Sequence, residues 1–384
     1  MLTIGIDASR ANAAEPTGVE RYAFVLIQEL KRLIPAEHRV ILYSEEPLRG
    51  RLADLPPNWE SRVLTWPCRY FWAEMRLGWE MLVRPPDLLW QPARSLPLFL
   101  PRHVVATIHD LGFFDFPDAY RCVNRWYQKI SAWLMVRRAA IITVSQFTAG
   151  RVRALLGEPR RGLFVTPLAV DVKKFEGLPA SPYPPPATGP KPQTTDYQLR
   201  TGKNPYFLFV GRLETKKNID GLLKAYADFV SGSDGAAVPL LVLVGSRGRG
   251  VEAALAAVPL EVRPLIKEFG YIHDEDLAAL YGGALALVFP SRYEGFGLPV
   301  LEAFAAGVPV ICSRAASLPE VAGEAALYVS PDRPEELAAA LKMISGEAAE
   351  RARLVALGRE RLKDFSWRQT AELTWAALRK EAGQ

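Results

Sequence analysis

The chain has three cysteines in 384 residues, Cys68, Cys122 and Cys312. They are scattered, odd in number and outside any C-x-x-C or Cys/His pattern, which excludes a disulfide framework and a zinc site of ordinary spacing. Buried thiols in a reducing compartment are expected. Long apolar runs are missing too: none approaches the ~20 residues that span a bilayer, and the opening M-L-T-I-G-I-D reads as a short strand without a basic leader. A soluble, cytoplasmic protein is the expectation. Acidic clusters are as scarce. The one D-x-D-like string, Asp274-Glu275-Asp276, opens a helical pattern and reads as a polar first turn, not a metal site. No nucleic-acid motif accompanies the net charge of +5, so nucleic acid is not an expected partner.

What is present suffices for two ordinary cores, since 49% of the residues are hydrophobic and the length fits two domains. Short apolar runs alternate with longer helical patterns, the mark of a parallel α/β protein. In the first half the pattern predicts strands at 2–7, 39–43, 88–91, 104–108 and 141–144, with helices at 19–33, 120–138 and 146–156. In the second half strands at 206–210, 240–244, 286–289, 308–312 and 327–329 alternate with helices at 219–230, 275–281, 298–305 and 334–344. Residues 179–197 are far richer in proline than either flank and read as a linker or surface insertion at the domain boundary. The positive charge sits in the first half: residues 1–177 hold 24 Lys and Arg against 18 Asp and Glu. Such a surplus is either a solvated surface or a patch that meets anionic headgroups or a pyrophosphate-linked acceptor. Residues 66–83, dense in aromatics and arginine, read as an amphipathic helix packed on the core, with a membrane- or acceptor-facing surface as the other reading.

The most informative segment is S-R-Y-E-G-F-G-L-P-V-L-E-A-F, 291–304, which sets Glu294 and Glu302 around a glycine turn entering a helix. Pro299 suits the first helical turn and Gly307 the C-terminal end, while Gly295 and Gly297 let the backbone approach a ligand. Helical side chains lean toward the N-terminus, so the Glu302 carboxylate reaches back to where exposed N–H groups meet a ligand. Upstream, Arg212 and Lys217 follow the strand F-L-F-V-G, with Gly211 leaving room in the turn. In the first half His109 stands at a strand end after V-V-A-T-I, and T-G-V-E at 17–20 matches a capping box that contains Gly18.

These motifs together resemble the retaining glycosyltransferases of family 4, whose signature is two glutamates separated by seven residues. The resemblance extends to Y-F-L-F-V-G-R-L-E-T-K-K-N-I-D at 206–220, T-I-H-D-L-G-F-F-D-F-P at 107–117, T-V-S-Q-F-T at 143–148 and T-P-L-A-V-D at 166–171. Within the family, the segment after His109 is most similar to mannosyltransferases that build O-antigen-type polysaccharides. The resemblance implies a GT-B architecture of two Rossmann-like domains facing a cleft. Residues 1–178 would bind the acceptor, 179–204 form the Pro-rich linker, 205–363 bind the nucleotide sugar, and 364–384 cross back as a final helix.

It also implies roles. Arg212 and Lys217 would stabilise charge on the leaving diphosphate, taking the place of a metal, so a metal-free reaction with no added cofactor is expected. Glu302 suits the ribose diol, because a carboxylate accepts from both hydroxyls and repels phosphate. Glu294 and His109 would contact the transferred sugar, with Asp110 a further candidate. The N–H groups of Gly295, Phe296, Gly297 and Leu298 would hold sugar hydroxyls and diphosphate, and Gly18 would turn its own toward phosphate or acceptor. The backbone of Ile272 would meet the base, where Asp274 either accepts from guanine or simply caps its helix. The expected reaction moves a hexose, mannose from GDP-mannose, to a glycan or lipid-linked acceptor. A UDP- or dTDP-sugar donor, an epimerase and a non-catalytic binder are the alternatives.

Overall fold

The structure is a computed structural model that describes residues 1–13, 18–68, 70–93, 95–120, 122–176, 205–233 and 238–384. The Pro-rich segment at 179–204 and Thr17 of the capping box lie outside the described residues. The chain forms two compact units, Met1–Ala169 with Phe365–Gln384, and Val170–Asp364.

The first unit holds a parallel sheet of seven strands: β1 (Thr3–Asp7), β2 (Arg39–Ser44), β3 (Trp59–Val63), β4 (Leu88–Gln91), β5 (His103–Ile108), β6 (Ala140–Thr143) and β7 (Leu163–Val165). Their spatial order is β3-β2-β1-β4-β5-β6-β7. The second unit holds β8 (Tyr206–Val210), β9 (Leu240–Val244), β10 (Ile266–Phe269), β11 (Ala286–Phe289), β12 (Val310–Ser313) and β13 (Ala326–Val329) in the order β10-β9-β8-β11-β12-β13. Both are doubly wound α/β sheets whose order reverses once, between β1 and β4 and between β8 and β11. Ligands in such sheets bind outside the carboxyl ends of the strands at that reversal.

The inner strands were legible because helices cover both faces of a parallel sheet, which leaves near-continuous apolar runs. In β8 the residues Tyr206, Phe207, Leu208 and Phe209 are all buried. Strands β3, β7 and β10 are absent from the sequence reading, and all three lie at sheet edges. Their sequences W-E-S-R-V, L-F-V and I-K-E-F are short or mixed in polarity, as edges are. β12 starts two residues later than expected, after Pro309, which has no N–H to give a ladder.

Two other expectations are corrected. Of the cysteines only Cys312 is buried, and Cys68 and Cys122 are exposed. Residues 66–83 are not one amphipathic helix: a π-helical turn at Trp72–Leu77 follows Phe71, whose φ is 62°, and runs into a short helix at Gly78–Val83. Trp72 and Leu77 pack inward, whereas Tyr70, Phe71, Met75 and Trp79 face solvent.

The final helix, Trp367–Glu381, packs on the first unit. Ser366 caps it by accepting from Gln369 N, Thr370 Oγ1 donates to Pro167 O at 2.6 Å, and the Trp375 ring meets His38 at 5.5 Å.

Candidate active site

In the second unit the carboxyl ends of β8 and β11 carry the two segments singled out by sequence. After β8 the chain turns at Gly211, φ 146°, beside Gly245, φ 136°, at the end of β9. A Cβ on Gly245 would lie 2.1 Å from Gly211 O, so only glycine allows these backbones so close. Gly245 escaped the sequence reading although it ends the run L-L-V-L-V.

A single 3-10 turn at Thr215–Lys217 follows, closed by Asn218 at φ 59°. Asn tolerates this left-handed conformation, and its Nδ2 donates to Pro331 O at 2.7 Å. The turn aims Lys217 over the Phe289 ring, 5.5 Å from its centroid, and onto Glu294, where Nζ donates to Oε1 at 2.5 Å. A cation held by a ring face and a carboxylate is fixed in place before any substrate arrives. Arg212 differs. Its side chain is 61% exposed and meets Glu214 at 3.6 Å.

The glycine turn bearing Glu294 is clamped from behind. Ser317 Oγ contacts Glu294 O at 3.0 Å and Phe296 O at 2.7 Å, and Ser313 Oγ donates to Ser291 O. Arg292 ties this turn to the one after β8: its N–H donates to Lys216 O at 3.0 Å and its guanidinium grips Asp220 at 2.9 and 3.2 Å. None of these clamps was assigned from sequence, because short hydroxyl residues and arginines carry no spacing signal.

Gly297, at φ 109°, then starts the helix Leu298–Ala305; a Cβ there would lie 2.6 Å from Leu318 Cδ2. Pro299 occupies the first turn. At the other end Gly307, φ 69°, closes a Schellman motif, with Val308 N bonding Ala303 O and Gly307 N bonding Phe304 O. Within this helix Glu302 Oε2 accepts from Tyr281 OH at 2.7 Å. Tyr281 is fully buried, and burial first, then the Glu302 charge and hydrogen bond, hold its phenol well above the usual range. It is therefore a permanent donor that orients the carboxylate. Tyr281 was read from sequence only as the end of a helix.

Ile272 is half-buried in the loop before the helix Asp274–Gly282. His273 occupies the N-cap, and Asp274 is the first helical residue. Its Oδ2 accepts from Lys174 Nζ at 2.6 Å. Gly295 is half-buried, and Phe296 and Gly297 are buried in the clamped turn. Among the described residues no three His, Cys, Asp or Glu side chains converge as metal ligands do.

In the first unit His109 follows β5. Its Nε2 lies 2.8 Å from Pro92 O and its ring meets Tyr22 edge-on at 4.7 Å. Burial pushes the imidazole below its ordinary value, outweighing the Pro92 carbonyl and Asp110, which act the other way. The neutral ring then donates through Nε2–H to the carbonyl, which leaves Nδ1 as an acceptor. Asp110 Oδ1 accepts from Gly112 N at 2.9 Å. Gly18 begins the helix Gly18–Leu33, exposed and with nothing within 4 Å of a Cβ, so no steric demand requires glycine there. Glu20 pairs with Arg10 at 2.9 Å.

Comparison with known proteins agrees with this construction. Residues 193–361 match the glycosyl transferases group 1 and residues 16–174 match glycosyltransferase family 4. The chain is 34% identical over 294 residues to O-antigen chain mannosyltransferase B of Escherichia coli, covering 76% of this chain and 74% of that one. Among solved structures, sucrose-phosphate synthase from Thermosynechococcus elongatus superposes with a TM-score of 0.72 at 21% identity over 99% of both chains. Anabaena HepE in complex with UDP-glucose superposes with a TM-score of 0.69 at 16% identity over 100% of both. Two parallel Rossmann-like sheets with clamped loops at the strand ends define a glycosyltransferase of the GT-B fold. The chain belongs to glycosyltransferase family 4.

Proposed function

We propose that this glycosyltransferase moves mannose from GDP-mannose to a glycan or lipid-linked acceptor with retention of configuration and without a metal ion, at the cytoplasmic face of a membrane. The observation that carries the reading is the Lys217–Glu294 pair, 2.5 Å apart at the carboxyl ends of β8 and β11. It joins the cation needed by a leaving diphosphate to the carboxylate needed by sugar hydroxyls. As the bond from the sugar C1 to the phosphate oxygen breaks, negative charge grows on the diphosphate, and a cation already fixed there needs no reorganisation to stabilise it. The acceptor oxygen forms its bond to C1 on the same face while its proton passes to the departing phosphate oxygen. Glu302 holds the ribose, and the N–H groups from Gly295 to Leu298 hold diphosphate and sugar hydroxyls. Mannose is supported by the name of the Escherichia coli relative. Among the described residues no helix is long and apolar enough to cross a membrane, so the membrane contact would be peripheral.

The ribose assignment makes Tyr281 a positioning residue. Tyr281→Phe keeps the ring and removes one hydrogen bond to a charged group, a loss of about 1.5–3 kcal/mol. Nucleoside-diphosphate affinity by calorimetry is expected to fall roughly ten-fold or more, with turnover at saturating donor near wild type. Glu302→Gln should show the same pattern, and unchanged affinity in both variants would remove the ribose role.

One observation favours a second reading of the base. Asp274 accepts from Lys174, so its carboxylate is engaged by a cation instead of turned wholly to a guanine edge. A UDP-sugar donor, as in the HepE complex, is the alternative. A melting panel with GDP, UDP and dTDP separates the two, because a ligand that binds only the folded protein raises its melting temperature. GDP is expected to stabilise most, and Asp274→Ala to erase that preference. Larger stabilisation by UDP would transfer the assignment to the alternative donor. A transfer assay with chelator present should show full activity, and the product anomer read by NMR should match the donor.

A further inference from the structure

We propose that Tyr22 and Trp367 are positioning residues for His109, and that the final helix thereby contributes to the site around that imidazole. The inference rests on the assignment of His109 to the transferred sugar and adds the two side chains through which its ring is aimed. Successive side chains of a strand alternate between faces, so Thr107 of β5 and His109, two residues on, share one. Tyr22 of the helix Gly18–Leu33 lies across both. Its hydroxyl is 3.3 Å from Thr107 Oγ1, and its ring meets the imidazole at a centroid distance of 4.7 Å with the planes 87° apart. An edge-to-face pair at this separation favours one mutual tilt of the two rings.

The imidazole needs that contact. Its hydrogen bond to Pro92 O at 2.8 Å holds one nitrogen and leaves the ring able to pivot about that bond. Tyr22 blocks the pivot, which fixes where Nδ1 points. The ring is only half-buried, so a ligand can still reach it, and a hydrogen bond to a sugar hydroxyl depends on that direction.

Tyr22 is itself held at both ends. It is fully buried, and burial pushes its phenol up to about 12, so the hydroxyl stays protonated. Thr107 Oγ1 also accepts from Trp90 Nε1 at 3.2 Å, which ties the hydroxyl end to β4. The ring lies 6.5 Å from the Trp90 ring on one contact and 6.5 Å from the Trp367 ring on another. Trp367 is the first residue of the final helix, directly after the Ser366 cap. The packing behind His109 is therefore completed by a residue far along the chain. The titratable group facing the imidazole from its own segment is Asp110, and from the helix Gly18–Leu33 it is Tyr22. Charges next along these elements pair elsewhere, Glu20 with Arg10 and Arg368 with Glu372.

The test follows the His109 imidazole signal by NMR in the full chain, together with GDP release from GDP-mannose. Trp367→Leu alters a half-buried site, so the fold is expected to stand. Its turnover should fall about ten-fold with nucleoside-diphosphate affinity unchanged, because a small misplacement of a group at the reacting centre is costly. Tyr22→Leu should fall about 10²-fold, as far as His109→Ala, whereas Tyr22→Phe keeps the ring and should retain most of the turnover. Water admitted beside the imidazole raises its pKa toward the ordinary value, because burial is the chief cause of its depression. In both leucine variants the His109 titration and the acid limb of kcat/KM should therefore move to higher pH. A purely structural role would lower the melting temperature and leave both where they are. Trp367→Leu should also add nothing in a His109→Ala background, since it acts through that ring. An unshifted His109 titration in Trp367→Leu, or a full further loss on top of His109→Ala, overturns the proposal. The titration is read without donor or acceptor, so it decides the positioning of the ring even if His109→Ala keeps normal turnover, a result that would remove the sugar role alone.

Discussion

Lys217→Ala is expected to lower turnover about 10²–10³-fold, the loss of about 2.7–4 kcal/mol found when one preorganised electrostatic donor is removed from a transition state. The effect should fall on turnover more than on donor KM, because charge on the diphosphate grows as the bond breaks. Lys217 is held by the Phe289 ring and by Glu294 at 2.5 Å. The same pairing means the alanine variant leaves Glu294 without its cation in a site where that carboxylate is only 10% exposed. A stability cost is therefore expected in Lys217→Ala and should be relieved by adding Glu294→Gln, while turnover stays low. Arg212→Ala should cost less, nearer ten-fold, because a charge on an exposed side chain is screened by water. Steady-state kinetics with melting curves on the three variants separate the roles. Near-wild-type turnover in Lys217→Ala would end the assignment of this lysine to the leaving group.

The second large effect is expected at His109. His109→Ala should lower transfer roughly 10²-fold, in the range of a positioned polar group at a reacting centre. Nucleoside-diphosphate affinity should hardly change, because the proposed partner of His109 is the sugar. A pH series gives an independent readout. Burial keeps the imidazole below its ordinary value, so kcat/KM should stay flat through the normal histidine range and fall only at lower pH. That acid limb should be absent in the alanine variant. Stability moves in the same sense. The unfolded chain, with an ordinary histidine near pKa ~6.5, binds more protons than the folded protein, so His109 imposes no penalty above that pH. The penalty grows as pH falls from there toward the depressed folded value. The wild-type melting temperature should therefore fall relative to that of the variant on acidification. A limb that survives in His109→Ala would assign it to another group.

Much of this molecule is written in local pattern. The runs Y-F-L-F-V and L-L-V-L-V announce inner strands because both faces of a parallel sheet are buried. Pro299 and Gly307 mark the two ends of the signature helix because one lacks an N–H and the other has no Cβ. Such signals depend on a residue and its near neighbours, so the α/β class and the glutamate signature could be read directly. Edge strands β3, β7 and β10 could not, since half-solvated strands carry too little apolar alternation to stand out from loops.

What needed the tertiary structure was partnership. Lys217 and Glu294 are 77 residues apart, Tyr281 and Glu302 21, and Lys174 and Asp274 100. Nothing in their spacing joins them; for Lys217 and Glu294 the reversal of strand order that sets β8 against β11 does, by bringing two loop ends to one edge of the sheet, and the other pairs meet where separate elements pack. The helix Cys122–Arg138 makes the same point about surfaces. Its apolar residues lie all around the axis, so periodicity identified a helix without an inside. Only packing of Met135 and Val136 on the core decided that Trp126, Ile130 and Trp133 face out, because burial is a property of what surrounds a helix and not of the helix alone.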